Sequence, residues 1–450
     1  MLSTATLKVL ANAILGGEPE RDAVTARLVH VLGRNWRWGR PLAGRYVEAF
    51  AGRIRPRRRD VISFLRGDPG LVEAACKYGH QIKILHWITG SQPMQPVPAA
   101  QKWAVPRIET LGDLAEWLEV SPSELSWFSD LKGLGYKRPQ ARLEHYHYRV
   151  LGKASGSIRL IETPKPRLKD LQRRILFGIL DQVPSHSAVH GFVKGRSIQT
   201  FAAPHVGQRV VLRMDLENFF PSFAGVRVQS FFRTTGYPET VADLLGGLAT
   251  NAVPRNTWRD AIKQPDRAPG LTLGPGELWH VQSTYGRPHL PQGAPTSPSL
   301  ANLCSYRVDC RLSGLAESAG AIYTRYADDL AFSGGEGFAG RVEHFATYVA
   351  AILGEEGFTV HHRKTRIMRQ STRQHLAGLV TNQRINVKRA QFDRLKAILT
   401  NCVRHSPEAQ NRDAHPHFRE HLHGRIAFIE SINLEKGKRL RAIFDQIAWE

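Results

Sequence analysis

Cysteine is scarce in this chain: four among 450 residues, Cys76, Cys304, Cys310 and Cys402, with no Cys-x-x-Cys spacing. Neither a disulfide framework nor a cysteine zinc site is suggested, and a reducing, cytoplasmic compartment fits. Uninterrupted apolar runs long enough to span a bilayer are missing. Residues 1–17 are moderately apolar, but Lys8 interrupts them and no convincing cleavage site follows, so they read as an amphipathic helix rather than a signal peptide. There is no internal repeat and no low-complexity tract. Acidic residues are the minority, 40 against 62 Lys and Arg, leaving a net charge of +22. Such an excess favours a polyanionic partner through phosphate contacts and counterion release. A merely basic cytosolic protein is the plainer alternative. An anionic membrane surface fits less well, because no basic amphipathic helix stands out.

Hydrophobic residues make up 42% of the chain, so it folds, and its length allows two or three domains with proper cores. Residues 1–92 look helical, with one apolar stripe at Leu7, Leu10, Ile14 and Leu15 and another at Val24, Leu28, Val29 and Leu32. A basic run follows at Arg53, Arg55, Arg57, Arg58 and Arg59, broken by Pro56; it is either a solvated helix end or a nucleic-acid contact. Residues 90–106 read as a linker. A helical pair, 111–118 and 123–128, comes next, the second opened by a capping box of Ser121 and Glu124. At His145-Tyr146-His147-Tyr148 the alternation becomes strand-like; His145 and His147 suit a solvent-facing strand better than a metal site. Gly152 to Gly156 should turn the chain into Ile158-Arg159-Leu160-Ile161, and a helix over 168–180 follows. Residues 251–289 are polar and rich in Gly and Pro, an insertion. Helix returns at 384–450, with Phe392, Leu395, Ile398 and Leu399 as one stripe.

The most informative stretch is Tyr326-Ala327-Asp328-Asp329, between the apolar runs Ala321-Ile322-Tyr323 and Leu330-Ala331-Phe332. That pattern predicts a β-hairpin with two carboxylates at its tip. Adjacent aspartates repel and are costly to bury, which makes sense if cations sit on them; a solvated turn is the bland alternative. Upstream, the apolar run Val210-Val211-Leu212-Arg213-Met214 delivers a single carboxylate, Asp215, before Phe219-Phe220. Three carboxylates from neighbouring strands can hold two hard cations roughly 3.5–4 Å apart, an arrangement used for phosphoryl transfer. Between the two acidic strands lies Leu290-Pro291-Gln292-Gly293-Ala294-Pro295-Thr296-Ser297-Pro298.

With these motifs in this order the chain resembles the reverse transcriptases, over about residues 140–450. The resemblance implies an α/β (α+β) right-hand polymerase: fingers 141–207, palm 208–383 and a short helical thumb 384–450. A helical N-terminal extension, 1–92, and a linker with a helical pair, 93–140, would precede them. It implies an RNA-directed DNA polymerase that uses dNTPs and two Mg2+ ions on Asp215, Asp328, Asp329 and the Leu216 carbonyl. By the same resemblance Phe220 is the gate that excludes a ribose 2′-hydroxyl, with Phe219 as packing. Gln292 and Gly293 lie beneath the incoming nucleotide, Arg159 and Lys165 grip it from the fingers, and Lys364 stands near the leaving pyrophosphate. RNA contacts would come from Lys169, Arg173, Lys194, Arg196, His205 and Gly378.

Within that family, His190-Gly191-Phe192-Val193-Lys194-Gly195-Arg196-Ser197-Ile198 looks like the bacterial retron type. Retron enzymes usually continue with Asn-Ala-x-x-His; here Phe201-Ala202-Ala203-Pro204-His205 stands, with the Asn replaced. Their Val-Thr-Gly string is represented only by Gly378, in Leu376-Ala377-Gly378-Leu379. Both departures leave the RNA partner open. The resemblance implies copying of a structured noncoding RNA in anti-phage defence, with an effector protein as a further partner. A different defence-associated or group II intron-like enzyme is the alternative, and an RNA-binding protein on a degenerate polymerase fold the non-enzymatic one.

Overall fold

The computed structural model describes residues 2–51, 56–87, 92–137, 144–152, 158–258 and 274–449. The chain divides into two compact units, Met1–Pro184 with Phe223–Leu300, and Ser185–Ser222 with Ala301–Glu450. The chain therefore crosses between units three times, and each unit has its own core.

The first unit opens with helices Thr4–Leu15, Arg21–Leu32, Gly39–Ala49, Arg58–Gly67 and Pro69–Tyr78. The stripes expected from sequence are its core: Leu7, Leu10 and Ile14 pack with Val24, Leu28, Leu42, Tyr46, Val61 and Leu65. Asp68 caps the fifth helix, accepting from the Leu71 N–H at 2.8 Å, and its carboxylate is clamped by Arg45 at 2.6 Å. In the arginine run, Arg53 and Arg55 lie outside the described residues. Arg58 gives its backbone N–H to the Glu239 carboxylate at 2.8 Å. The capping box of Ser121 and Glu124 forms, and Thr110 with Asp113 makes a second one.

Two strands, β1 (Tyr146–Gly152) and β2 (Ile158–Pro164), pair antiparallel. The turn joining them, 153–157, lies outside the described residues. His145 bonds to the Trp127 carbonyl at 3.0 Å and His147 is exposed, so the pair serves the strand edge. Of the expected insertion, 259–273 lie outside the described residues. Its later part is a helix, Pro275–Tyr285. Gly274 and Pro275 open that helix and Glu277 bonds back to the Gly274 N–H at 3.0 Å, so these residues start a helix rather than break one.

The second unit is built on an antiparallel sheet in the order β4-β5-β3-β6. Its strands are β3 (Val210–Asp215), β4 (Ala321–Tyr326), β5 (Asp329–Gly334) and β6 (Arg366–Arg369). Strand residues alternate between faces. Leu212, Tyr323 and Phe332 therefore share one face, where Phe332 meets Phe345 of helix Val342–Glu355 at 5.1 Å. Val211, Arg213, Asp215 and Asp329 share the other. There the apolar end packs on Phe201 and Leu376, and at the charged end Asp215 is buried while Arg213 and Asp329 are half-buried. A small sheet, β7 (His375–Leu376), β8 (Leu379–Val380) and β9 (Asn386–Val387), follows. Helices Arg389–Arg404, Phe418–Ile432 and Leu434–Phe444 close the chain around Leu395, Leu399, Leu422, Ile426 and Leu440. Among the described residues no helix is long and apolar enough to cross a membrane.

Candidate active site

The hairpin expected at Tyr326-Ala327-Asp328-Asp329 is present. Tyr326 pairs with Asp329, so Ala327 and Asp328 form a two-residue turn. Ala327 has φ +55°, a conformation that favours glycine, so the turn is strained and needs support. The support is Arg325, fully buried, which holds both Asp309 oxygens at 2.8 and 2.7 Å, the Asn302 amide oxygen at 3.0 Å and the Ala327 carbonyl at 3.2 Å. Asn302 in turn donates to the Gly191 carbonyl at 2.8 Å. Gly191 lies so close to the turn that a Cβ on it would stand 2.6 Å from the Ala327 nitrogen.

The ladder between β3 and β5 sets Asp215 directly opposite Asp329. The Leu216 N–H donates to the Asp328 carbonyl at 3.0 Å. In extended chain the N–H and C=O of one residue point to the same edge, so the Leu216 carbonyl also faces the turn. Burial, and then the like charge of Asp215, pushes Asp328 above the usual carboxylate range. Burial raises Asp329 too, against the pull of Arg213. Arg213 donates through Nε and Nη2 to one Asp329 oxygen, at 2.9 and 2.6 Å. Lys364 Nζ donates to Asp215 Oδ1 at 2.8 Å. Two of the three carboxylates are thus paired with cationic side chains, and among the described residues no three acidic, His or Cys groups converge on one metal-sized point. The donor types suit a hard divalent cation: three carboxylates against two nearby cations, with Asp328 and Asp329 raised chiefly by burial, beside a backbone carbonyl.

Sequence reasoning missed Arg213, Asn302, Asp309 and Arg325. A signal existed for the two arginines, because a charged residue inside an otherwise apolar strand needs a partner.

On the same unit Phe220 is half-buried, while Phe219 is buried beside Phe358. On the first unit Gln292 faces Arg159: the amide, oriented with its oxygen toward the guanidinium, accepts from Nε at 3.0 Å and Nη2 at 2.6 Å. Gly293 has φ +133°, and a Cβ there would meet the Glu162 carbonyl at 2.8 Å, so only glycine fits. The Gln292 carbonyl accepts from the Glu162 N–H at 2.9 Å, fixing the segment to β2. Behind it Glu162 and His289, both fully buried, pair at 2.9 Å. Lys165 is half-buried at the end of β2.

Residues 151–383 match the family described as reverse transcriptase (RNA-dependent DNA polymerase). The chain is 39% identical over 339 residues to the Retron Mx65 reverse transcriptase of Myxococcus xanthus, covering 75% of this chain and 72% of that protein. It is 36% identical to the Retron Mx162 reverse transcriptase of the same organism, over 73% of this chain and 65% of that protein. It is 30% identical to the Retron Ec86 reverse transcriptase of Escherichia coli, over 63% of this chain and 74% of that protein.

The chain belongs to the retron reverse transcriptases. It is an RNA-directed DNA polymerase of α/β fold, in a family whose members generally use divalent metal ions. The residues expected to touch RNA stand differently in this reverse transcriptase. Lys194 is exposed and Lys169 half-exposed. Arg173 is exposed and pairs with Asp170 at 3.2 Å. Arg196 turns inward, its Nη1 donating to the carbonyls of Ser187 and Val189, so it braces its own loop. His205 corrects the sequence expectation: it is fully buried, its Nδ1 on Ser333 Oγ at 2.6 Å and its Nε2 on Thr324 Oγ1 at 2.7 Å. Neither nitrogen is available to RNA, because the histidine crosslinks the inner face of the sheet. Gly378 is exposed, and with Ala377 it makes the β7–β8 turn, φ +45° then +87°. Two successive positive φ angles favour glycine in such a turn.

Proposed function

We propose that this reverse transcriptase copies part of a structured noncoding RNA into DNA in the cytoplasm, as a component of anti-phage defence. In this reading residues 141–207 are the fingers, 208–383 the palm and 384–450 the thumb. The observation that carries the chemistry is the register of β3 against β5, with Asp215 opposite Asp329 and Asp328 at the adjoining turn. Asp215, Asp328, Asp329 and the Leu216 carbonyl would hold two Mg2+ ions, which supply charge neutralisation at the transferred phosphoryl group and acidify the primer hydroxyl. The protein's own residues do the positioning. Arg159 leaves the Gln292 amide to bind the triphosphate with its planar fork, and Lys165 adds charge beside it. Gln292 and Gly293 lie under the nucleotide. Phe220 excludes a 2′-hydroxyl, and Lys364 moves from Asp215 to the departing pyrophosphate. Lys169, Arg173 and Lys194 meet RNA phosphates.

The names of the relatives support the retron assignment. If a 2′-hydroxyl of the RNA primes synthesis, the product is a short DNA joined to RNA. The helical region 1–92 then binds that RNA or an effector protein. The test is Asp328→Asn. Removing one of three crowded carboxylates should leave the fold intact, with a melting temperature equal to or slightly above the parent's, while primer extension with Mg2+ disappears. Retained extension would sink the carboxylate assignment. Sequencing the nucleic acid that copurifies with the protein, after RNase and debranching treatment, reports template and linkage; unlinked linear cDNA alone would overturn the retron reading.

A further inference from the structure

The loop that precedes β3 holds a residue to which the polymerase reading gives no role. Phe192 has φ +59°, an outlier for a bulky side chain, and it is 50% exposed. An exposed ring recovers little burial to offset such a backbone, so the surroundings must impose it. They do so at several points. The Arg325 N–H donates to the Ala188 carbonyl at 2.8 Å, and the His190 N–H to the Arg325 carbonyl at 2.7 Å. Asn302 holds the Gly191 carbonyl, Gly191 itself is pressed on the Ala327 turn, and Arg196 ties the loop to itself. The chain just before Phe192 is therefore fixed to the elements that carry the carboxylates, and Arg196 ties the chain after it back to that segment. Its ring centroid lies 6.3 Å from that of Phe220 and 6.4 Å from that of Tyr326, both half-exposed, within the range of paired aromatic rings.

We propose that Phe192 is a specificity-determining residue: a fixed lateral wall that keeps the Phe220 ring from swinging aside for a ribose. The proposal rests on the reading of Phe220 as the sugar gate. A gate discriminates only if it does not yield. Phe220 has Phe219 on one flank at 5.6 Å, and Phe192 is the ring that closes toward the Tyr326 side. Phe192 can do this because its own backbone cannot relax without detaching the loop from the catalytic turn.

The test compares single-nucleotide extension with dNTP and rNTP in the full chain and in three variants. Phe192→Gly removes the ring while accepting the positive φ, so it removes strain rather than the fold. It should lower the dNTP-to-rNTP preference about tenfold, the scale on which small apolar changes in a pocket act. Phe192→Tyr keeps the ring and should keep the preference. Phe220→Ala should lower the preference further, and adding Phe192→Gly to it should change nothing more, because both act through one ring. A structural role alone would slow dNTP and rNTP incorporation in parallel and leave their ratio fixed; that result overturns the proposal. If Phe220→Ala alters the ratio and Phe192→Gly does not, the wall is wrong and the gate stands. If neither alters it, the gate reading itself has failed.

Discussion

His205 illustrates how one residue converts burial into pH dependence. Burial, with a smaller contribution from the charge of His190, pushes its pKa down to about 3. His190 is itself pushed down to about 4, first by burial and then by Arg196. In the unfolded chain both take up protons near the ordinary value of about 6.5. Between those limits the unfolded state binds more protons than the folded one, so stability rises with pH there. It is fully present above about 6.5 and is lost as pH falls toward the folded values. We expect thermal melts from pH 7.5 to 4.5 to show a falling midpoint, and His205→Asn, though less stable at neutral pH, to show a shallower fall. The ceiling is on the order of a few kcal/mol for so buried a group. Equal slopes in parent and variant would remove His205 from the account.

At the scale of elements, the β1–β2 hairpin and the Pro-Gln-Gly segment are joined by a buried ion pair. His289 faces acceptors at both ring nitrogens, Glu162 Oε1 at 2.9 Å and the Arg287 carbonyl at 2.8 Å, so both nitrogens must donate and the ring is charged. Burial pulls its pKa down, and the Glu162 carboxylate reverses this and holds it above the ordinary value. His289→Ala leaves the Glu162 carboxylate buried, with Asn251 still donating to its other oxygen at 2.8 Å. A loss of about 3–5 kcal/mol in chemical denaturation is expected, as for other broken buried pairs. A loss below about 1 kcal/mol would mean that the pair is not ionised. None of this was legible in the sequence, since Glu162 and His289 are 127 positions apart and neither sits in a pattern. Periodicity did reveal the N-terminal and C-terminal helical stripes, because each is a local repeat read against one core. The acidic hairpin was legible for the same reason: apolar runs and a turn lie side by side. The partners of Arg213, Asn302 and Arg325 were hidden because they are set by strand register and by loop packing, which no local window contains.

For the whole molecule, charge decides how tightly RNA is held before any base is read. With a net +22, several Lys and Arg side chains should neutralise phosphates and release counterions. RNA affinity measured between 50 and 400 mM salt should fall steeply and log-linearly, with a slope of about −0.7 per phosphate neutralised on a single strand. A flat titration would count against an extended electrostatic groove. Gly191 carries a consequence of another kind. Its φ is not positive, so it is glycine for clearance and not for flexibility: the peptide of residue 327 occupies the volume a methyl group would need. Position 191 and the Ala327–Asp328 turn are therefore parts of one steric lock, although 191 and 327 are 136 positions apart. An alanine at 191 would act as a wedge under the turn, displacing Asp328 without touching any group that takes part in the chemistry. The smallest possible side chain at a silent position would then give the phenotype of a damaged active site.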